Sequence, residues 1–157
     1  MIYFSVLTAD CLSGFISSVV SDIGELESID VIERGEGGNI MSLLVVGQKE
    51  TILVETEYMI RTLLAPNKLD SSLGTIEIVR ETADNVSNMS LLPSAFFVSD
   101  TTFLKDGTIG EFTIYGGGYG HGVGMSQEGV RGMVSRGYTY EEIIEHYYNC
   151  VEIASYL

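Results

Sequence analysis

Between Tyr115 and Val134 the chain reads YGGGYGHGVGMSQEGVRGMV, and three versatile polar side chains, His121, Ser126 and Gln127, stand among glycines. Imidazole, hydroxyl and carboxamide each bring short-range donors and acceptors. Glycine loses more backbone entropy on folding than any other residue, so such a run needs a reason. A flexible linker is one, but the run follows a predicted strand and precedes two predicted helices, which is no place for a linker in a compact domain. The remaining reason is a backbone that bends tightly or lies close against a ligand or a neighbouring strand. A phosphate cradle does not fit. The spacing from Gly118 to Gly124 is G-x-G-x-G-x-G, without G-x-G-x-x-G and without a following G-K-[ST]. His146 and Cys150 are expected one helical turn apart, and His121 could join them, but a metal wants three or more ligands with supporting partners, and a lone Cys–His pair near a helix end reads as packing. No metal or other cofactor is expected. Two carboxylates lie close by. Glu111 is expected just ahead of a strand and solvated, and Glu128 in the first turn of a helix, where the dipole favours the charged form over a proton donor. Neither is assigned catalysis.

The elements that must position these residues follow from period and caps. IYFSVLTADCLSGFISSVVSDIG predicts a strand, Thr8 as N-cap, and a helix whose stripe is Leu12, Phe15, Ile16, Val19, Val20 and Ile23, closed by Gly24. SIDVIERGEGGNIMSLLVVGQKETILVE predicts a three-stranded meander turning at GEGG and GQKE. A second helix follows in TEYMIRTLLAP, capped by Thr56 and stopped by Pro66. FSVLTADCLSGFI and ILVETEYMIRTLL align at an offset of 48, Val6 on Val54, Thr8 on Thr56 and Phe15–Ile16 on Leu63–Leu64, so one strand–cap–helix unit is used twice. Asn67–Ser90 reads as a polar excursion containing a possible strand, TIEIVRE. SAFFVSD and EFTIYGG are two further strands around a KDG turn. After the glycines come a helix from about Gly124 to Arg136, ended at Gly137, and another whose Thr139 and Glu142 form a capping box and whose Ile143, Ile144, Tyr147 and Tyr148 form the apolar stripe. The expected fold is α+β, a single domain over residues 1–157 with mostly antiparallel strands, the duplicated element and a C-terminal helical pair.

The totals bound the rest. With 157 residues and 45% hydrophobic content, the chain can bury a real core. A net charge of −14 argues against bulk attraction to nucleic acid or anionic lipid, so no nucleic-acid partner is expected. No apolar run reaches membrane-span length, and the opening MIYFSVLTAD reads as a strand without the basic region of a leader. Cys11 and Cys150 match no metal or redox spacing and sit in apolar contexts, so both are expected to be buried free thiols, with a disulfide between them as the alternative.

GGGYGHGVGMSQEGVRGMVSRGYTYEEIIEHYYNCVEI closely resembles the C-terminal signature of the stage II sporulation protein D family, SpoIID/LytB. Gly118, Gly120 through Gln127, Gly129, Gly137, Tyr140, Ile143 and His146-Tyr147-Tyr148 carry the resemblance. IDVIERGEGGNIMSLLVVG, IRTLL and LLPSAFFV resemble its middle region more loosely. Family members act on bacterial cell wall, some as lytic transglycosylases and some as amidase enhancers. The resemblance implies glycan recognition outside the cytoplasm, with peptidoglycan glycan strands as ligand and an amidase or other sporulation proteins as possible partners. A lytic transglycosylase protonates the oxygen between two sugars and then accepts the proton of the attacking 6-hydroxyl, which one carboxylic acid does in turn. The family's proposed acid lies in an A-x-K-A-Q-A-V-A-A-R-(S/T)-Y-like run that this sequence lacks. The chain is therefore expected to be a C-terminal portion of a member, with no catalytic residue of its own. Its candidate glycan-binding residues are Gly118, Tyr119, Gly120, His121, Gly122, Gly124, Met125, Ser126, Gln127, His146 and Tyr148, with Tyr119 stacking on a sugar face and the glycines shaping a wall.

Overall fold

A computed structural model describes residues 2–65, 77–80, 84–87 and 89–154. The chain divides into two compact units, Met1–His121 and Gly122–Leu157. Among the described residues there are eight strands, all paired antiparallel, and four helices, so the fold is α+β as the periodicities predict.

The first unit opens with β1 (Ile2–Thr8), whose side chains alternate strictly between solvent and core. Thr8 then accepts a hydrogen bond from Cys11 N–H at 3.3 Å and caps α1 (Ala9–Val19). Leu12, Phe15 and Ile16 are buried on the predicted stripe. The helix ends at Val19 rather than at Gly24. Beyond it Ser17 Oγ takes the N–H of Ile23 and Asp22 Oδ1 takes that of Gly24, so side chains outcompete the helical ladder. Ile23 is buried all the same, from outside the helix. β2 (Leu26–Arg34), β3 (Ile40–Gly47) and β4 (Thr51–Glu55) form the expected meander. Gly35 N–H to Asn39 O and Gly47 N–H to Glu50 O close its two turns. Thr56 caps α2 (Glu57–Leu63) through Met59 N–H, repeating the role of Thr8. Unlike Thr8 it holds a left-handed φ of 70°. Phe15, Ile16, Leu63 and Leu64 of the two copies are all buried, so the duplicated unit packs the same way twice.

Pro66 and most of the expected polar excursion lie outside the described residues. Within it β5 (Glu77–Arg80) and β6 (Val86–Ser87) are strands. β7 (Phe97–Phe103) and β8 (Ile109–Gly117) complete a five-stranded sheet of order β6-β5-β1-β8-β7. Asp106 accepts from Thr108 N–H and Oγ1 in the turn between β7 and β8, and these bonds hold its carboxyl below the usual range. Glu111 lies inside β8, not ahead of it, and is exposed. Tyr3 and Leu7 of β1 and Phe112 and Ile114 of β8 belong to one apolar core with Leu12 and Ile16 of α1 and Leu43 of β3.

The second unit holds α3 (Gln127–Ser135) and α4 (Tyr140–Tyr147), joined through Gly137 at φ 87°. α3 starts three residues later than its pattern suggests. Gly124 has φ 74°, which cannot continue a right-handed helix, and Ser126 supplies the cap. The capping box of Thr139 and Glu142 is present in both directions. Among this unit's described residues, Ile143 is the one fully buried side chain.

Candidate functional site

The glycine run begins as packing and continues as a turn-rich loop. Tyr3 points inward from β1 with no exposed surface, and its ring lies where a side chain on Gly116 would project. Only glycine lets β8 pass it at this register, Tyr3 opposite Gly116. The Tyr3 hydroxyl donates to Ser94 O at 2.9 Å, and burial pushes its pKa upward. Ser94 Oγ donates to Gly117 O at 2.5 Å and accepts from Phe96 N–H at 3.1 Å. Gly117 N–H bonds Phe96 O, and Gly120 N–H bonds Pro93 O at 2.8 Å. The segment around Pro93 and Ser94 thus fixes the backbone on both sides of Gly118 and Tyr119.

From Gly118 onward the backbone alternates. Gly118, Gly120, Gly122 and Gly124 all take positive φ, and Tyr119, His121 and Val123 between them do not. The G-x-G-x-G-x-G spacing is therefore a conformational requirement, since a residue with a Cβ is strained at each of these glycines. Tyr119 is 77% exposed, and His121 is exposed beside it.

In the second unit Gly122, Gly124, Met125, Ser126 and Gln127 are all exposed. Ser126 Oγ is committed to Gly129 N–H at 3.1 Å, so its role is that of an N-cap. Tyr148, the C-cap of α4, has its hydroxyl 3.4 Å from where a Cβ of Gly124 would stand. Tyr147 is half-buried, with its hydroxyl on the spot a Gly129 side chain would need. Of the two tyrosines, one therefore packs against α3 and the other stays exposed next to the loop. His146 meets Tyr147 edge-on, with ring centroids 4.9 Å apart. His146 and Cys150 are not one helical turn apart: α4 ends at Tyr147, and Cys150 lies beyond it with φ 56°. Cys150 is exposed and free, which corrects the expectation of two buried thiols. Cys11 is buried and free. The apolar context of Cys150 lacks a core to enter, because the unit buries so little.

The structure thus brings Gly118, Tyr119, Gly120 and His121 together in the first unit, and Gly124 with Tyr148 in the second. The charges near the loop are exposed. Glu128 pairs with Arg131 at 3.2 Å in full solvent, a contact of little energetic consequence. Hydrogen bonds from its own N–H and from Tyr140 hold the Glu141 carboxyl low, and the same bond raises Tyr140. No group of three or more His, Cys, Asp or Glu side chains able to hold a metal occurs among the described residues. Sequence reasoning missed Ser94 and Tyr3, the residues that anchor the loop. Pro93-Ser94 ahead of a strand signals a turn, but nothing local reveals a bond spanning 91 positions.

The chain is 34% identical over 89 residues to the amidase enhancer of Bacillus subtilis (strain 168), covering 55% of this chain and 12% of that protein. It is 47% identical over 45 residues to the stage II sporulation protein D of Bacillus amyloliquefaciens, covering 29% of this chain and 13% of that protein. The chain therefore spans about one eighth of the length of either relative. No helix among the described residues is long and apolar enough to cross a membrane. The model of the family described as Domain of unknown function (DUF8618) matches residues 9–124, well over half of the chain, and the chain belongs to that family.

Proposed function

We propose that the chain is a glycan-recognition piece of a SpoIID/LytB-like protein, acting on the peptidoglycan side of the membrane in sporulation or cell-wall remodelling. The observation that carries this reading is Tyr119. Its ring stands in solvent on a loop whose backbone is bonded at Gly117 and at Gly120, so it is presented without needing to be ordered on binding. A pyranose offers an apolar face for such a ring and hydroxyls for the surrounding backbone groups and for His121. The amidase-enhancer and sporulation-protein relatives support the cell-wall setting. In the second unit, taken by itself, Gly122, Gly124, Met125, Ser126, Gln127, His146 and Tyr148 are proposed to contact glycan. Ser126 does so through its position alone, because its oxygen is used as a cap.

The chain supplies no general acid in this reading. Glu111 and Glu128 are both exposed, and neither is assigned catalysis. Incubation with peptide-stripped glycan strands, followed by mass spectrometry of the sugar ends, tests the proposal. Protein retained on the glycan without new 1,6-anhydro ends is the expected result. Absence of retention, or 1,6-anhydro ends above a protein-free control, contradicts it. A second reading, a non-enzymatic module that assists an amidase or a sporulation complex, is favoured by the name of one relative and by an apolar sheet face in the first unit.

A further inference from the structure

The outward face of the five-stranded sheet is apolar where a solvated sheet face is ordinarily polar. Register places Val79, Phe4, Tyr115 and Val98 directly opposite one another on four neighbouring strands, β5, β1, β8 and β7. Ile2 and Val6 flank Phe4 on the same face of β1. All six are between 37% and 61% exposed. Phe4 and Tyr115 lie side by side, ring centroids 6.0 Å apart and tilted by 30°. One step along the strands the composition changes. Val6 stands opposite Thr113, which faces Asp100, and then Thr8 stands opposite Glu111, which faces Thr102. The face is thus an apolar row with an acidic, hydroxyl-bearing margin, and none of these positions is Lys or Arg.

From this row and margin we propose that the sheet face docks a short cationic segment of a partner protein, with an apolar side laid along Val79–Phe4–Tyr115–Val98 and Lys or Arg side chains meeting Asp100 and Glu111. Two observations select this occupant. The exposed parts of the six side chains amount to fewer than three fully solvated large ones, roughly 400–700 Å². That is less than the ~800 Å² per partner of a stable interface between globular surfaces, and on the scale of a functional patch. A second copy would also bring a further −14 charge against the same acidic margin, whereas a basic segment finds complementary charge there. The proposal deepens the partner-binding reading and is independent of glycan binding at Tyr119.

The test uses two fluorescent peptides of equal length and charge, one an amphipathic Leu/Lys helix and the other with Ser replacing every Leu, titrated with the whole chain and followed by anisotropy. The Leu/Lys peptide is expected to bind at least tenfold more tightly than the Ser/Lys peptide. Phe4→Ser/Tyr115→Ser and, separately, Val98→Lys on the edge strand are each expected to remove that preference, and Asp100→Asn/Glu111→Gln to reduce its salt dependence. The Val98→Lys chain keeps the test decisive if the double variant does not fold. Equal binding of both peptides would mean bulk acidic attraction alone, and a preference that survives Val98→Lys would put the apolar contact elsewhere on the chain; either result overturns the proposal. So does a wild-type dimer in analytical ultracentrifugation that Val98→Lys dissociates, because a second copy is then the occupant. Glycan retention should be unchanged in these variants, and its separate loss in Tyr119→Ala would leave the sheet-face result intact.

Discussion

Gly116→Ala is the most informative single substitution, because it tests whether the loop that carries Tyr119 depends on close packing beneath it. A Cβ at position 116 would fall on the Tyr3 ring, at Cζ, Oη and Cε1. Tyr3 has no exposed surface and its hydroxyl is bonded to Ser94 O, so the ring cannot swing into solvent. Either the strands separate or the ring moves and its hydroxyl loses Ser94. Overpacking of this kind costs about 1–3 kcal/mol, and an orphaned buried hydroxyl about 1–3 kcal/mol more. The expected destabilisation is thus about 2–6 kcal/mol when both terms apply, a large part of a typical domain's stability. For a chain of this size, at about 2–4 °C per kcal/mol, that lowers Tm by roughly 4–24 °C. Urea melts and calorimetry of wild type and variant measure it. Tyr3→Phe/Gly116→Ala should recover the hydroxyl part of the loss but not the ring overlap, and Tyr3→Leu/Gly116→Ala should recover more. A Gly116→Ala melt within about 0.5 kcal/mol of wild type would refute the argument that β8 passes Tyr3 only as glycine.

Three other outcomes follow from the same packing. Gly129→Ala should turn the half-buried Tyr147 ring aside, because Tyr147 Oη occupies the space, and this is read as a shifted Tyr147 side-chain NMR signal; an unshifted signal would contradict the α3–α4 packing. Cys150 should react at once with a thiol reagent and Cys11 only after unfolding, so two equally fast thiols would contradict the assignment. Burial raises the Cys11 pKa, so the folded chain holds that proton more firmly than the unfolded chain. The corresponding stability is fully present below the unfolded value of about 8.5 and is lost as pH rises through the folded value. Cys11→Ala should therefore flatten the decline in Tm between pH 8 and 10, and an unchanged decline would count against it.

How much of this was legible beforehand depended on the range of the interaction. Thr8, Thr56 and Thr139 could be recognised as caps because each bonds an N–H three residues on, within the stretch that was read. The meander and the duplicated strand–cap–helix unit were legible for the same reason. The end of α1 was not, because Ser17 and Asp22 divert backbone donors through side-chain geometry that periodicity does not contain. The pairing of β1 with β8 was hidden by its sequence separation, and with it the explanation for Gly116. In the loop, the spacing of Gly118, Gly120, Gly122 and Gly124 announced an unusual backbone, and the alternating positive φ gives its physical content. The anchoring by Ser94 and the exposure of Cys150 depend on tertiary packing, and no local pattern encodes either.

Co-sedimentation of the purified chain with peptide-stripped glycan strands, with Tyr119→Ala and His121→Ala beside the wild type, tests the central claim most directly. The account predicts saturable retention of the wild type and at least a tenfold weaker Tyr119→Ala, a loss of about 1.4 kcal/mol, with His121→Ala weakened as well. Both variants should melt within a few degrees of wild type, since these loop side chains are exposed. A wild-type chain that stays in the supernatant, or a folded Tyr119→Ala chain that binds as wild type does, would contradict glycan recognition by this loop.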